Sequence, residues 1–386
     1  MRQILTVLHK EVANTCLCNL GLTDSRRFST KCKGMPAPRR GGTPALRLLS
    51  VAIMLMAAEM THAQVRRENL YEFSLPRMGT ILRVKLYAGD QNEAHRAANA
   101  VFDRVEELEE IFSDYRDDSE LTKVSQEGAV APRVVSPEMF ELLAASQRIS
   151  ELSGGAFDVT IGPVVALWRA ARKTHTLPDA AAIAKAREAV GYQYVELNTQ
   201  NRTVFLKHTG MKLDVGAIAK GYAAEQGVAL LRSRGFSRAL VAAGGDLFIG
   251  APPPGKPGWE VAIDSPDLSN GSRACTVLLH DVAVSTSGNA HQFADIAGKR
   301  FSHIVDPSTG KGLEGEASST VIAPDGATAD GLATALSVMP PERGLKVAES
   351  LPGVSAYLIR QSSTGWRYYS SPGFPQGCHE AGKGGH

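Results

Sequence analysis

Cysteine is scarce in this chain: five residues in 386, three of them (Cys16, Cys18 and Cys32) near the N-terminus. That excludes a disulfide framework. The other two, Cys275 and Cys378, leave room for one bridge, although Cys275, flanked by Ala274 and Thr276 in a strand-like run, reads as an ordinary buried thiol. Charge of one sign is missing too. Lys and Arg number 42 against 40 Asp and Glu, a formal net charge of +2. The basic excess of a dedicated nucleic-acid binder is therefore absent, and no nucleic-acid partner is expected. No glycine period marks a collagen or a repeat array. Neither a Walker A loop nor a dinucleotide fingerprint occurs, so neither phosphate-binding mechanism applies. The apolar run from Ala45 to Ala58 is short for a membrane span and polar chain follows it at once, so a transmembrane anchor or a buried helix ranks second to a cleaved signal. What remains is globular: 43% hydrophobic and 21% charged residues can bury a core, as one large domain or two modest ones.

Arg39 and Arg40 stand before that apolar run, and Thr61-His62-Ala63 follows it. A basic, then apolar, then small-residue order is a secretory signal, here over residues 35–63 with cleavage after Ala63. Residues 1–34 fit no part of such a signal, so Met35 is the expected start and the upstream piece an extension. The mature protein is expected to be exported to the periplasm. No cysteine stands at the cleavage point, so a lipoprotein anchor is unsupported, and association with the inner membrane stays open.

Along residues 64–369 helical and strand signals mix without a long linker, which predicts a single α+β catalytic domain. Thr80 to Tyr87 reads as a strand and Asn92 to Phe112 as an amphipathic helix, with Val101, Val105, Leu108 and Ile111 at helical spacing. Ser136-Pro137 starts a helix that ends before Gly154-Gly155. Tyr194–Leu197 and Thr203–Lys207 form a hairpin, a helix runs from Ile218 to Ser233, and Arg238–Ala242 is the strand after it. The glycine-rich residues 370–386 are expected to be a disordered tail.

Several segments carry chemistry-bearing residues. Gly154 to Pro163 places Asp158 and Thr160 in a glycine-bounded loop, which is either a ligand approach or a helix cap with a tight turn. Asp214 and Gly216 stand at the mouth of a helix with Lys220 just inside it. That end would hold phosphate, or Asp214 would simply cap the helix. Gly244-Gly245-Asp246 follows a strand, as a ligand loop or a turn. His303, three residues before Asp306-Pro307, is a candidate general base or a structural histidine. Asp330 and Thr334, four apart at a helix start, share one face and suit Mg²⁺ as hard oxygen ligands; the alternative is a helix-end Asp with a Thr bonded back to the backbone.

Taken in order, eight segments resemble the ApbE family of FAD:protein FMN transferases. They are Met78 to Thr80, Ser113 to Leu121, Gly154 to Pro163, Asp214 to Tyr222, Gly244 to Asp246, Thr286 to Gly288, His303 to Gly310, and Ala329 to Thr334. The resemblance implies an ApbE-like domain that cleaves FAD and joins FMN to a Thr or Ser hydroxyl of an exported flavoprotein, such as a subunit of a respiratory electron-transfer complex, releasing AMP. By similarity Met78, Tyr115, Ala156, Phe157, Asp158, Asp214, Lys220 and Ile304 line the FAD site. Mg²⁺ is held by Asp330, Thr334 and the carbonyl of Ala217, with help near Ala333. Apart from the resemblance, His303 is the candidate base and Asp306 the candidate orienter. The chain departs from the family at Ala243, where an Asn is common, at Ala290, where an aromatic is usual, and at Glu225, a frequent Asp. Two other readings compete: a Mg²⁺-dependent FAD pyrophosphatase using water as acceptor, and a non-catalytic FAD-binding protein.

Overall fold

The computed structural model describes residues 68–266, 273–288, 293–296, 298–376 and 378. The expected signal segment and upstream extension, residues 1–63, lie outside these. Its backbone is one antiparallel eight-stranded sheet in the order β1-β2-β6-β7-β10-β14-β15-β16. The strands are β1 (Asn69–Arg77), β2 (Thr80–Ala88), β6 (Ala239–Ala243), β7 (Asp246–Ile249), β10 (Val282–Gly288), β14 (Ala317–Ala323), β15 (Ser355–Ser362) and β16 (Gly365–Ser370). Three small sheets flank it: β3 (Arg133–Val134) with β5 (Thr203–Leu206) and β4 (Val195–Asn198); β8 (Trp259–Asp264) with β9 (Arg273–Leu279); and β11 (Phe293–Ile296), β12 (Lys299–Asp306) and β13 (Lys311–Glu314). The α+β expectation holds.

Local chemistry explains the joints. Between β1 and β2 only Met78 and Gly79 turn the chain, at φ +50° and +67°. Two central residues with positive φ match the twist of a tight hairpin, and Gly79 tolerates this freely. Helix α1 (Gln91–Phe112) starts where Asp90 accepts from the Glu93 N–H at 2.9 Å, and it buries Ala94, Ala98, Val101, Val105, Leu108 and Phe112 on one stripe. After α2 (Glu120–Glu127), α3 (Pro137–Ser153) begins at the Ser136 cap with Pro137 in its first turn, and it ends at Gly154 in the left-handed region. Two further helices follow, α4 (Gly162–Thr174) and α5 (Ala180–Arg187).

Helices α6 (Ala219–Ser233) and α7 (Gly326–Val338) position the site. A Cβ on Gly221 would run into the Gly326 carbonyl, so glycine at both places lets the two backbones touch. The Glu225 carboxylate of α6 accepts from the Gly326 N–H at 2.8 Å and so serves the positive end of α7. Helix α7 buries residues on every side, Leu332 and Leu336 among them, because it lies between the sheet and other helices. Helix α8 (Pro341–Glu349) leads into β15. No helix among the described residues is long and apolar enough to cross a membrane.

The expectation of a disordered tail is corrected at residues 371–376 and 378; residues 377 and 379–386 lie outside the described residues. Residues 371–376 and 378 pack rather than dangle: Ser371 exchanges two hydrogen bonds with the Ala356 backbone, Phe374 stacks on Tyr357 at 5.4 Å, and the Tyr357 hydroxyl donates to the Cys378 carbonyl at 3.0 Å. Cys378 is disulfide-bonded to Cys275, 103 residues earlier, so Cys275 is not a free buried thiol. Together with Trp259, Val261, Ile263 and Val277 these residues form a second core.

Candidate active site

A cavity of about 940 Å³ is lined by the β1–β2 turn, the end of α1, the 156–158 loop, α4, the start of α6, the β6–β7 turn, β10, β12 and α7. That volume sits at the large end of small-molecule sites.

At one part of its wall three charges meet. The Lys220 ammonium lies 2.7 Å from Asp246 Oδ2 and 3.4 Å from Asp330 Oδ2. Asp246 Oδ1 also accepts from the Ser285 hydroxyl. Asp330, only 1% exposed, accepts from the Gly221 N–H at 3.0 Å through the same Oδ2, and its Oδ1 has no partner among the described residues. The touching backbones of α6 and α7 bring Lys220 and Asp330 together. Burial, and then the Asp246 charge, push the Asp330 carboxyl up against the pull of Lys220. For Lys220 burial acts downward, but Asp246 and Asp330 outweigh it and hold the ammonium charged.

A second cluster stands around α4. Arg169 bridges Asp114 and Asp214, the latter at 2.8 Å, and its guanidinium lies 4.4 Å from the Tyr115 ring centroid. Tyr115 is 78% exposed and offers its other face to whatever enters. Asp214 does not cap a helix: it accepts from the Gly216 N–H at 3.0 Å, whereas α6 begins at Ala219 without a side-chain cap. Burial and the Asp114 charge push its carboxyl up, opposed by Arg169.

The expected site residues divide accordingly. Met78, Tyr115, Ala156, Phe157, Asp158, Asp214, Ala217, Lys220, His303, Ile304, Asp330 and Thr334 all line the one cavity. Asp158 does so as a brace, since it accepts from the Thr160 N–H (2.8 Å), the Thr160 hydroxyl (2.6 Å) and the Tyr192 N–H (2.8 Å). Two residues are placed elsewhere. Ala333 is fully buried within α7, and its carbonyl accepts from the Ser337 hydroxyl at 3.0 Å. Asp306 does not orient His303: it closes the β12–β13 turn, taking the Ser308 N–H and hydroxyl on Oδ1 and the Thr309 hydroxyl on Oδ2. An Asp before Pro-Ser-Thr-Gly is a turn former first.

Sequence reasoning missed Asp114, Arg169 and the pairing of Asp246 with Lys220. Gly162-Pro163 followed by Val164, Trp168 and Ala171 carried the helix signal that would have brought Arg169 to the cavity.

The oxygen donors suit a small hard cation. Asp330 brings a carboxylate oxygen without a partner, Thr334 a hydroxyl 3.1 Å from that of Ser287, and Ala217 lines the same wall. No group of three or more His, Cys, Asp or Glu suited to a metal occurs among the described residues. A cation held here would have few protein ligands and would complete its shell with water and substrate phosphate.

The model of the ApbE family matches residues 78–358. The chain belongs to the ApbE family. ApbE relatives include the FAD:protein FMN transferase of Klebsiella pneumoniae (strain 342), 33% identical over 303 residues that cover 77% of this chain and 86% of that protein. The FAD:protein FMN transferase of Treponema pallidum (strain Nichols) is 33% identical over 312 residues, covering 77% and 85%. The solved flavin transferase ApbE from Vibrio cholerae superposes with a TM-score of 0.72 at 29% identity, over 80% of this chain and 98% of that one. This ApbE chain therefore shares both the fold and nearly the full length of its relatives.

Proposed function

We propose that this protein is a Mg²⁺-dependent FAD:protein FMN transferase, acting on a Thr or Ser hydroxyl of an exported flavoprotein and releasing AMP. The observation that carries this reading is the meeting, in one cavity of a member of the ApbE family, of an Asp330 carboxylate oxygen that no protein group occupies, Thr334 and His303. Asp330, Thr334 and the Ala217 carbonyl are the groups that would hold Mg²⁺. When bound, the ion neutralises pyrophosphate oxygens and makes AMP a better leaving group.

The chain's own residues do the rest. Tyr115, steadied by Arg169, offers an aromatic face at the cavity for a flavin or adenine ring. Lys220 presents positive charge beside the cation site, held by Asp246. His303 takes the proton of the acceptor hydroxyl as its oxygen bonds to the FMN phosphorus and the bond to the AMP oxygen breaks, AMP leaving with the electron pair. Export to an oxidising compartment is part of the proposal and is supported by the Cys275–Cys378 bridge, a bond that persists in such compartments.

The test combines the chain from Gln64, FAD, Mg²⁺ and a flavin-acceptor domain with a target Thr, read by intact mass and AMP release with and without chelator. The expected result is acceptor heavier by one FMN, only with Mg²⁺. AMP without labelled acceptor would indicate the pyrophosphatase instead, and retained FAD with no product would indicate a binding protein. His303→Ala is expected to slow transfer about 10²–10⁴-fold while FAD still binds; full activity would remove His303 from its role.

A further inference from the structure

We propose that Lys220 is a built-in counter-ion: before a divalent cation binds, its ammonium covers part of the cation site, anchored by Asp246, and it gives way at Asp330 when the cation arrives. The inference rests on the reading that a divalent cation binds at Asp330.

The two carboxylates do not hold Lys220 equally. Asp246 is the firm partner, at 2.7 Å, and both of its oxygens are engaged, one by Lys220 and one by the Ser285 hydroxyl. Asp330 is the loose one, at 3.4 Å, on the oxygen that the Gly221 N–H already occupies. Its other oxygen stays without a partner although the residue is 1% exposed. A largely buried carboxylate is unfavourable unless some charge answers it, and an ammonium parked alongside does so in part. Two carboxylates against one ammonium leave the cluster one negative charge in excess. That excess attracts a dication, while the ammonium repels it.

Lys220 thus opposes cation binding, and Asp246 favours it twice, by adding negative charge and by holding the ammonium off Asp330. Swapping the charge at each position therefore has opposite consequences for the same ion. A scaffold role for either residue would weaken binding in both variants alike.

The experiment titrates Mn²⁺ or Mg²⁺ alone, without FAD or acceptor, into the full chain by calorimetry. Lys220→Met is expected to bind at least about tenfold tighter than the natural protein, Asp246→Asn at least about tenfold weaker, and the charge-keeping Lys220→Arg near the natural value. Thermal unfolding gives a second readout. Lys220→Met should melt lower than the natural protein in chelator and regain more on adding Mg²⁺, because the cation then supplies the missing charge. Equal or weaker cation binding by Lys220→Met, with the natural protein binding normally, overturns the counter-ion role alone. No cation binding by either protein at millimolar metal overturns both that role and the Mg²⁺ reading beneath it.

Discussion

The two faces of the eight-stranded sheet are covered by different means. On one face helices α1, α3, α6 and α7 build the large core, and the charged groups of the cavity stand on backbone that this core holds rigid. On the other, the β8–β9 pair and the segment after β16 cover Leu240, Val284, Ile322 and Ile359, with the Cys275–Cys378 bridge as a clamp. The helical face gains stability and chemistry from the same contacts, because Gly221 and Gly326 bring α6 and α7 together and thereby bring Lys220 to Asp330. The second face contributes stability, and it needs a covalent tie because a two-stranded sheet alone is marginal.

The sharpest way to break this comparison is at the helix crossing. Gly221→Val places a branched side chain against the Gly326 carbonyl, and we expect a loss of more than about 3 kcal/mol, seen as little or no folded protein by circular dichroism. Asp330→Ala should fold, yet lose about 10²–10³-fold in FMN transfer, measured by acceptor mass. A Cys275→Ser, Cys378→Ser double variant tests the opposite face. It is expected to lose about 2–4 kcal/mol in denaturant unfolding while transfer well below the melting temperature persists. If transfer fails there while the fold persists, the division of labour is wrong, since β8 also lines the cavity through Val261 and Ala262. The smallest effect belongs to the Arg104–Glu138 pair between α1 and α3, at 2.6 Å and partly exposed. Arg104 holds the Glu138 carboxyl below its ordinary 4.5 despite partial burial. The pair's stabilisation is therefore present above about pH 4.5 and is lost as pH falls through the lower folded value. Glu138→Gln should remove at most about 1 kcal/mol at pH 7 and progressively less as pH falls through that lower value.

Much of the helical face was legible because its signals are local. The Ser136 cap, the stripe from Ala94 to Phe112 and the Gly235 stop of α6 announce themselves within a few residues. The cavity list was legible for another reason: the order of eight short segments resembles a known family, and eleven of the twelve residues it suggested, with the candidate base His303, line one cavity. The exceptions have physical causes. Asp306 faced a choice between a turn and a histidine, and the turn offers it three donors within three residues. Ala333 lies one residue from Thr334, and on a helix that is enough to point it into the core. Arg169 was hidden because α4 opens without a side-chain cap. The clamp on the second face was the least legible, since nothing within a window around Cys275 reports a partner 103 residues away.

That separation sets a schedule. At synthesis rates of about 5–20 residues per second, roughly 5–20 seconds elapse between the appearance of Cys275 and that of Cys378. Throughout that interval the core around Trp259, Ile263 and Val277 lacks the residues that complete it, Tyr357, Ile359 and Phe374 among them. A nascent polypeptide with such a gap is a natural client for holding chaperones, and shortened forms that stop before Phe374 would carry the same sticky surface permanently.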